Sequence, residues 1–285
     1  MCDNYLFIGN PGTGKSTLLN CLVGEHVFDT GVSYGSGLTR DLQQITHQGA
    51  VYMDTPGLAD RQVRRRAADA ITIALRQAGS CKIFFMVRLQ YGRVHSEDLA
   101  TIETVLDSID MEDIPFAIVV NNVKSRQYAA MSEKGEEFLN VVTLINSSKY
   151  TTPYIVFIPT LDSLEEKDNQ CIELPSDVDT FLRYEAPSAI VPAGRVNTIP
   201  LEQYTRIVDN LREQLEDLRN NNAALRQQME ELMKKPRFVE VLVNVVGMAA
   251  SALCKVLQSE PGIFDLLISG DYGGFLSALI RSLGR

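Results

Sequence analysis

The sequence predicts an α/β protein built on a doubly wound, mostly parallel sheet. Apolar runs of strand length recur at YLFI (5–8), AVYMD (50–54), KIFFMV (82–87), FAIVV (116–120) and YIVFI (154–158). Their nearly continuous hydrophobicity is typical of parallel strands that are buried on both faces. Helical stretches lie between these runs at 15–23, 61–78, 96–108 and 132–147. Strands that alternate with helices in this way predict βα units wound around one sheet.

Changes in composition divide the 285 residues into four regions. The α/β domain is expected to occupy residues 1–185. Residues 186–200 contain three prolines and little charge, which indicates a linker or a packed arm. Residues 201–235 carry a heptad pattern that predicts a coiled coil, and residues 236–285 form an apolar tail that is expected to be helical.

The overall composition is that of a globular protein and excludes some classes of partner. It is 45% hydrophobic and 22% charged, and the net charge of −9 argues against a nucleic-acid-binding surface. The five cysteines show neither C-x-x-C spacing nor a Cys/His cluster, so no zinc site is predicted. Reduced thiols in a cytoplasmic protein are the expected state.

The glycine-rich segment GNPGTGKST (9–17) follows the first apolar run and has the G-x-x-x-x-G-K-[ST] spacing of a phosphate-binding loop. Its glycines allow backbone N–H groups to approach phosphate oxygens, and the next helix points its positive N-terminal end at the same place. A lysine adds a positive charge, and a hydroxyl is a suitable ligand for Mg²⁺. The nucleotide-binding residues expected in this loop are Asn10, Pro11, Gly12, Thr13, Gly14, Lys15, Ser16 and Thr17.

Two later segments predict a nucleotide switch. DTPG (54–57) ends the AVYMD strand, so Asp54 can hold Mg²⁺ and the N–H of Gly57 can reach a γ-phosphate. Thr39, in SGLTRDLQ (36–43), can add a second hydroxyl to the metal. The predicted metal ligands are therefore Ser16, Thr39 and Asp54. Loss of γ-phosphate contacts on hydrolysis releases such loops, which is how GTPases switch.

An ATPase of the AAA type is the alternative that the letters GTGKST (12–17) raise. Such a protein is expected to carry an acidic pair at the end of the strand that holds the metal. The residue after Asp54 is Thr55, so the acidic pair is missing and the GTPase interpretation is favoured.

From about residue 4 to about residue 185, the chain resembles the immunity-associated GTPases (GIMAP or IAN, the AIG type) among the TRAFAC P-loop GTPases. SGLTRDLQ looks like their switch segment, and VRLQYGRVHSEDLATIETVL (87–106) is similar to the box between their third and fourth motifs. The box residues are Leu89, Gly92, Arg93, Glu97 and Asp98. Septins and chloroplast import (Toc-like) GTPases are related in fold. The resemblance implies a G domain that dimerises face to face across its nucleotides.

The guanine-reading motif departs from the usual pattern. After FAIVV the chain reads NNVK (121–124), so Lys124 stands where an aspartate normally accepts both guanine N–H groups. A lysine ammonium cannot accept a hydrogen bond. Either Asn121 or Asn122 reads the base through its amide, or base specificity is relaxed toward ATP. GTP or GDP with Mg²⁺ is the expected cofactor.

Hydrolysis is expected to be slow. Many GTPases place a glutamine after DxxG to orient the attacking water, whereas this chain has Leu58. The candidates for a group acting on a second copy are Arg61, Arg93 and His95, beside the run Arg64–Arg66. Two hypotheses follow: a slow GTPase switch that dimerises when loaded, and a nucleotide-dependent scaffold with negligible hydrolysis.

The heptad pattern runs from Leu201 to Leu232. The a positions are Leu201, Val208, Leu215, Asn222 and Met229, and the d positions are Tyr204, Leu211, Leu218, Leu225 and Leu232. Leucine at d and one asparagine at a predict a two-stranded parallel coiled coil, and hence a homo-oligomer. The alternative is a single amphipathic helix folded back on the G domain.

The tail is apolar but interrupted. FVEVLVNVVGMAASALCKVL (238–257) contains Glu240, Asn244 and Lys255, and its uncharged stretch is shorter than the roughly 20 residues of a spanning helix. A buried helical hairpin is the first interpretation. Attachment to a membrane surface and a transmembrane helix are the alternatives.

Overall fold

The computed structural model describes residues 4–29, 39, 41–90, 92–161 and 170–248, together with positions 253, 266, 274, 275, 277, 278 and 281. Its strands are β1 (Asn4–Gly9), β2 (Gln43–His47), β3 (Ala50–Asp54), β4 (Ser80–Gln90), β5 (Arg93–Val94), β6 (Ala117–Val123), β7 (Ile155–Pro159) and β8 (Ala189–Ile190). Its α-helices are α1 (Lys15–Val23), α2 (Arg64–Gln77), α3 (Ser96–Leu106), α4 (Ser125–Ser132), α5 (Glu136–Ile145), α6 (Ser176–Thr180), α7 (Tyr204–Asn220), α8 (Asn222–Met233) and α9 (Pro236–Asn244).

The predicted mostly parallel sheet is confirmed. Its order is β2-β3-β1-β4-β6-β7, and β1 pairs in parallel with both β3 and β4. All the apolar runs predicted as strands lie in this parallel part, and helices cover both faces. The carboxyl ends of parallel strands meet at one edge of a sheet, so Gly9, Asp54 and Asn121 are brought to the same edge.

Strand β2 was not predicted from the sequence. QQITH (43–47) alternates between half-buried and exposed positions and pairs antiparallel with β3 at the edge of the sheet. An edge strand with one solvated face lacks the continuous apolar run that identified the other strands. Thr39, which precedes β2 in the chain, lies beside the phosphate loop, with its Oγ1 3.4 Å from Ser16 Oγ.

The helix expected at 132–147 is α5 (Glu136–Ile145), and a separate helix that was not predicted, α4 (Ser125–Ser132), precedes it. Helix α4 ends at Ser132, and α5 begins at Glu136. Lys134 has φ of 52°, outside the helical range, and Gly135 caps the start of α5. The apolar spacing of α5 is helical on its own, so the pattern predicted this helix correctly but did not show the break between Ser132 and Glu136.

Residues 186–200 are a packed arm. Strand β8 pairs with the start of β4, and the Asn197 N–H donates to Ser108 O at 2.7 Å. Val196 and Ile199 are buried against the α/β core. The arm therefore extends the α/β unit beyond residue 185 and leads directly into α7.

The structure differs from the continuous coiled-coil rod predicted at 201–235. Helix α7 ends at Asn220. The Asn221 side chain then caps α8 by accepting hydrogen bonds from the N–H groups of Ala223 and Ala224. The apolar stripe of α7 lies within the core of its own chain, packed against α3. Asn222, expected inside the seam, is exposed. The folded-back amphipathic helix is the alternative that describes α7.

The start of the tail is also packed. Phe238, Val239 and Leu242 of α9 are buried in the same core as α7 and α8. Within the described residues, none of the helices combines the length and the apolar character needed to cross a bilayer. Most of residues 249–285 lie outside the described residues, so the expected hairpin and membrane contact stay predictions.

Candidate functional site

The glycine-rich loop connects β1 to α1 and encloses the Lys15 ammonium. Gly14 has φ of 87° and forms the N-cap of α1, a conformation that favours glycine. Lys15 Nζ donates to Gly9 O at 2.9 Å and to Asn10 O at 3.3 Å. Burial lowers the pKa of Lys15, while the carboxylates of Asp54 and Asp98 act in the opposite direction. A buried cation at a helix N-terminus is an anion-binding arrangement.

The three predicted metal ligands lie together. Asp54 Oδ2 accepts from Ser16 Oγ at 2.5 Å and from Thr39 Oγ1 at 3.1 Å. Asp54 Oδ1 is buried without a hydrogen-bond partner. Burial raises the pKa of Asp54, and Lys15 and both hydroxyls oppose this shift. Two hydroxyls and a carboxylate with an unused oxygen form a hard-oxygen donor set that fits Mg²⁺.

The DTPG loop packs directly on the phosphate loop. A Cβ built on Gly57 would lie 2.4 Å from Pro11 Cδ and 2.8 Å from Asn10 Cα. Glycine is therefore required for this close approach. Leu58 is fully buried in the core, so the residue after DTPG is directed away from solvent.

Both asparagines of NNVK line a cavity beside the phosphate loop. Asn121 Nδ2 donates to Thr13 O at 3.0 Å and so braces the loop. Asn122, with φ of 57°, accepts at Oδ1 from Thr160 Oγ1 at 2.6 Å. The cavity measures about 190 Å³ and is also lined by Gly12, Gly14, Thr17, Leu18, Cys21, Ile158, Pro159, Thr160, Leu161 and Leu174. Thr160 belongs to none of the sequence motifs, although it directly follows the parallel strand β7.

A buried polar network behind the loop was not anticipated. Asn10 Nδ2 donates to Asp98 Oδ1 at 2.8 Å, and Asn10 Oδ1 accepts from the Ala59 N–H at 3.0 Å and from Thr101 Oγ1 at 3.1 Å. Burial raises the pKa of Asp98. Tyr204 at the start of α7 donates to the carbonyl of Glu97 at 3.2 Å. The network links the phosphate loop, the DTPG loop, α3 and the C-terminal helices.

The remaining predicted residues are Thr13 of the phosphate loop, which is part of the site, and the three catalytic candidates. Thr13 is buried and donates from Oγ1 to Asn10 O at 2.9 Å. The catalytic candidates lie outside this network: Arg61 and Arg93 are exposed, and His95 Nδ1 lies 3.9 Å from Glu97 Oε2. Within the described residues, none of these three forms a hydrogen bond or ion pair with the phosphate loop.

Comparison with known proteins identifies the nucleotide-binding part of this structure. Residues 4–122 match the family described as 50S ribosome-binding GTPases, a range that includes the phosphate loop, Thr39, DTPG and Asn121. This part of the chain is a P-loop GTPase domain.

Individual relatives of the GTPase domain cover only part of the chain. The small ribosomal subunit biogenesis GTPase RsgA 1 of Oceanobacillus iheyensis is 35% identical over 77 residues, which are 25% of this chain and 22% of that protein. GTPase Era of Desulfovibrio desulfuricans is 33% identical over 132 residues, 43% of this chain and 41% of that protein. The chain thus spans about a fifth to two fifths of the length of these relatives.

Among solved structures, a variant of Era from Aquifex aeolicus bound to GDP·AlF4⁻ matches with a TM-score of 0.42 and 22% identity. The match covers 74% of this chain and 66% of that one. That structure contains a guanine nucleotide, and a second Era structure contains MgGDPNP. The immunity-associated subfamily is a finer assignment than the matched GTPase domain and stays a prediction.

Replacing Gly14 with alanine is expected to damage the GTPase domain more than the same change at Gly24. Both have positive φ, 87° and 82°, which costs alanine about 1–2 kcal/mol. A Cβ on Gly14 would also lie 2.3 Å from Asn121 Nδ2, whereas nothing lies within 4 Å of a Cβ on Gly24. Gly14→Ala should therefore lose about 1 kcal/mol more, through the broken Asn121–Thr13 hydrogen bond. Urea unfolding of both variants measures the difference, and equal losses would refute the clash.

Proposed function

We propose that the chain is a guanine-nucleotide-binding protein that acts as a slow GTPase switch and uses Mg²⁺. The observation that carries this proposal is the convergence of Ser16 and Thr39 on Asp54, beside the buried Lys15. Proteins that bind nucleoside triphosphates with Mg²⁺ place a phosphate loop after one parallel strand and a metal-binding carboxylate at the end of a neighbouring one.

Each residue of the site has a role in this proposal. The loop N–H groups and Lys15 bind phosphate oxygens. Ser16, Thr39 and Asp54 hold Mg²⁺, which would neutralise negative charge on the phosphates. Gly57 packs closely against Pro11 of the phosphate loop. A contact between its N–H and a γ-phosphate would therefore affect the position of the residues that follow Gly57.

Two features support switching. Thr39 and Gly57 are far apart in sequence, and both lie against the phosphate loop. Thr39 Oγ1 is 3.4 Å from Ser16 Oγ, and a Cβ on Gly57 would lie 2.4 Å from Pro11 Cδ. The Ala59 N–H also bonds to Asn10, so the segment after Gly57 is tied to the same loop. Movement of either segment with the γ-phosphate would change contacts that the other segment depends on.

The resemblance to the immunity-associated GTPases gives the finer form of the proposal. Gly92 of the predicted box has φ of 77° between β4 and β5, and a Cβ there would lie 2.6 Å from Gln127 Nε2. Asp98 of the box accepts hydrogen bonds from Asn10 and from the Arg88 N–H. Structural roles for these two box residues support a family-specific segment at this place.

Slow turnover follows from the position of Leu58. A fully buried leucine cannot orient a water molecule, so hydrolysis needs another group. In the proposal, two GTPase domains meet across their nucleotides, and Arg61, Arg93 or His95 acts on the second copy. The alternative function, a nucleotide-dependent scaffold with negligible hydrolysis, is favoured by the same leucine and by Lys124.

The first experiment is competition of GTP, GDP and ATP for the purified chain in the presence of Mg²⁺. A preference for guanine nucleotides of a hundredfold or more, about 2.7 kcal/mol, supports the guanine switch. Equal competition by ATP would replace it with a relaxed nucleotide-binding scaffold. Absence of binding by all three nucleotides would overturn both.

Replacing Lys124 with aspartate is expected to increase the preference for GTP over ATP at least tenfold. A carboxylate accepts both guanine N–H groups, which lysine cannot do. Lys124 is the N-cap of α4 and makes no side-chain cap hydrogen bond, so Asp also improves the helix start. Lys124→Asn is the matched control, because it caps equally well but offers only one acceptor oxygen. If the two variants show equal selectivity, the guanine base does not contact residue 124.

Phosphate release per site distinguishes the switch from the scaffold. A rate that rises with protein concentration supports a face-to-face dimer that completes the site. A measurable rate that is independent of concentration supports hydrolysis within one chain. No release above the uncatalysed rate at any concentration favours the scaffold.

A further inference from the structure

We propose that Arg88 binds the phosphate groups of the nucleotide. It would thus be an arginine that the protein itself supplies to the site, without a second copy. This inference deepens the proposed function and rests on it. Arg88 belongs to none of the sequence motifs, because the motif pattern of P-loop proteins assigns no role to the end of this strand.

The position of Arg88 places its guanidinium beside the phosphate loop. Arg88 lies near the carboxyl end of β4 and pairs in register with Asn121 of β6. A Cβ built on Gly12 would lie 3.4 Å from Arg88 Nη1. Asn121 itself donates to Thr13, so the two paired residues flank the loop from neighbouring strands.

The guanidinium has donors that the described residues do not satisfy. Arg88 Nε is buried and has no hydrogen-bond partner among them. A buried unsatisfied donor costs about 1–3 kcal/mol, and more on a charged group, so such atoms indicate a missing acceptor. The five donors of an arginine form a planar fork that matches phosphate oxygens.

The nearby carboxylate is already engaged. Asp98 Oδ1 accepts from Asn10 Nδ2, and Asp98 Oδ2 accepts from the Arg88 backbone N–H at 3.1 Å. No ion pair within 4.0 Å joins the Arg88 side chain to Asp98 in the described parts of the chain. Asp98 therefore anchors the backbone of Arg88 and stabilises its charge from a distance, which leaves the guanidinium donors for a ligand.

The buried Leu58 makes a second cation useful. With no water-orienting side chain after DTPG, stabilisation of charge on the phosphates is the main contribution the chain can make by itself. Lys15 supplies one buried cation. The half-buried Arg88 supplies a second, with its Nη1 3.4 Å from the position of a Cβ on Gly12. An anionic ligand of high charge is the occupant that such a pair selects.

The test is nucleotide binding by full-length Arg88→Gln, Arg88→Lys and Arg195→Gln. Arg195 is an exposed arginine paired with Asp110, so its variant is the control for losing a surface charge. Arg88→Gln keeps the backbone N–H that Asp98 accepts. Affinities for GDP and a non-hydrolysable GTP analogue, single-turnover hydrolysis, and unfolding without nucleotide are measured for each.

Arg88→Gln is expected to weaken binding of the GTP analogue at least tenfold while nucleotide-free stability stays unchanged or increases. Arg88→Lys should recover part of the affinity, since it keeps the charge and loses the fork. If Arg88→Gln binds both nucleotides as the wild type does, Arg88 has no ligand role. If it loses affinity only in proportion to lost stability, its role is structural. A wild type that binds no nucleotide overturns the proposed function and this inference together.

Discussion

Lys15→Met is expected to weaken binding of GTP and GDP by at least a hundredfold, about 2.7 kcal/mol. The Lys15 ammonium is buried at the phosphate loop, where its charge is poorly screened. Hydrogen bonds to charged groups contribute about 1.5–3 kcal/mol each, so loss of two phosphate contacts accounts for the effect. Methionine keeps an unbranched apolar stem of similar shape and removes the ammonium group. Calorimetric titration with GDP and Mg²⁺ measures the affinity.

Lys82→Met is the matched control. Lys82 is also buried, and its Nζ donates to Ala186 O at 2.7 Å. It pairs in register with Tyr5, in the amino-terminal half of β4 and away from the phosphate loop. Its replacement should alter stability and leave nucleotide affinity within about twofold, well under 1 kcal/mol. Equal losses of affinity in the two variants would mean that any buried lysine supports the site indirectly.

Leu215→Ala is expected to lower the free energy of unfolding by about 2–5 kcal/mol, independently of protein concentration. Leu215 is 1% exposed and belongs to the core shared by α7 and the GTPase domain. Polar contacts hold α7 in place beside it: Gln214 Nε2 donates to Ser147 O at 2.9 Å, and Arg219 Nη2 donates to Val94 O. Unfolding in urea at several protein concentrations measures both quantities.

Leu225→Ala distinguishes this packing from a coiled coil. Leu215 at an a position and Leu225 at a d position both belong to the seam of the predicted heptads, so a coiled coil loses comparable stability from either change. In the structure Leu225 is only partly buried, and its replacement should cost clearly less. A coiled coil also unfolds at a midpoint that rises with protein concentration. Similar losses with such a concentration dependence would restore the zipper.

Most of the predicted site residues came together because they lie at or just after the carboxyl end of a parallel strand. Gly9, Asp54 and Asn121 each end or follow an apolar run, and parallel pairing brings those ends to one edge. Arg88 follows such a run as well, and only its unpartnered Nε and the closeness of its Nη1 to Gly12 reveal it. A motif states which residue types meet, whereas an unsatisfied donor is visible only in three dimensions.

The heptads show why periodicity is an incomplete guide. An apolar stripe on a helix states that one face is buried, and it does not state against what. Tyr204, Leu211 and Leu218 satisfy the pattern equally well on a second helix or on α3, and the structure places them in the core with α3. The choice depends on a matching apolar surface on the domain, which no local window contains.

The sequence by itself determined the α/β class, the glycine-rich loop after β1 and the three residues predicted as metal ligands, which meet in the structure, because short-range spacing encodes loops at strand ends. Only the tertiary structure decided three other features: the packed arm at 186–200, the intrachain partner of α7, and the buried network from Asn10 through Asp98 toward Tyr204. These depend on contacts between residues about 90 or more positions apart in sequence, and their partners are selected by shape and burial across the whole core.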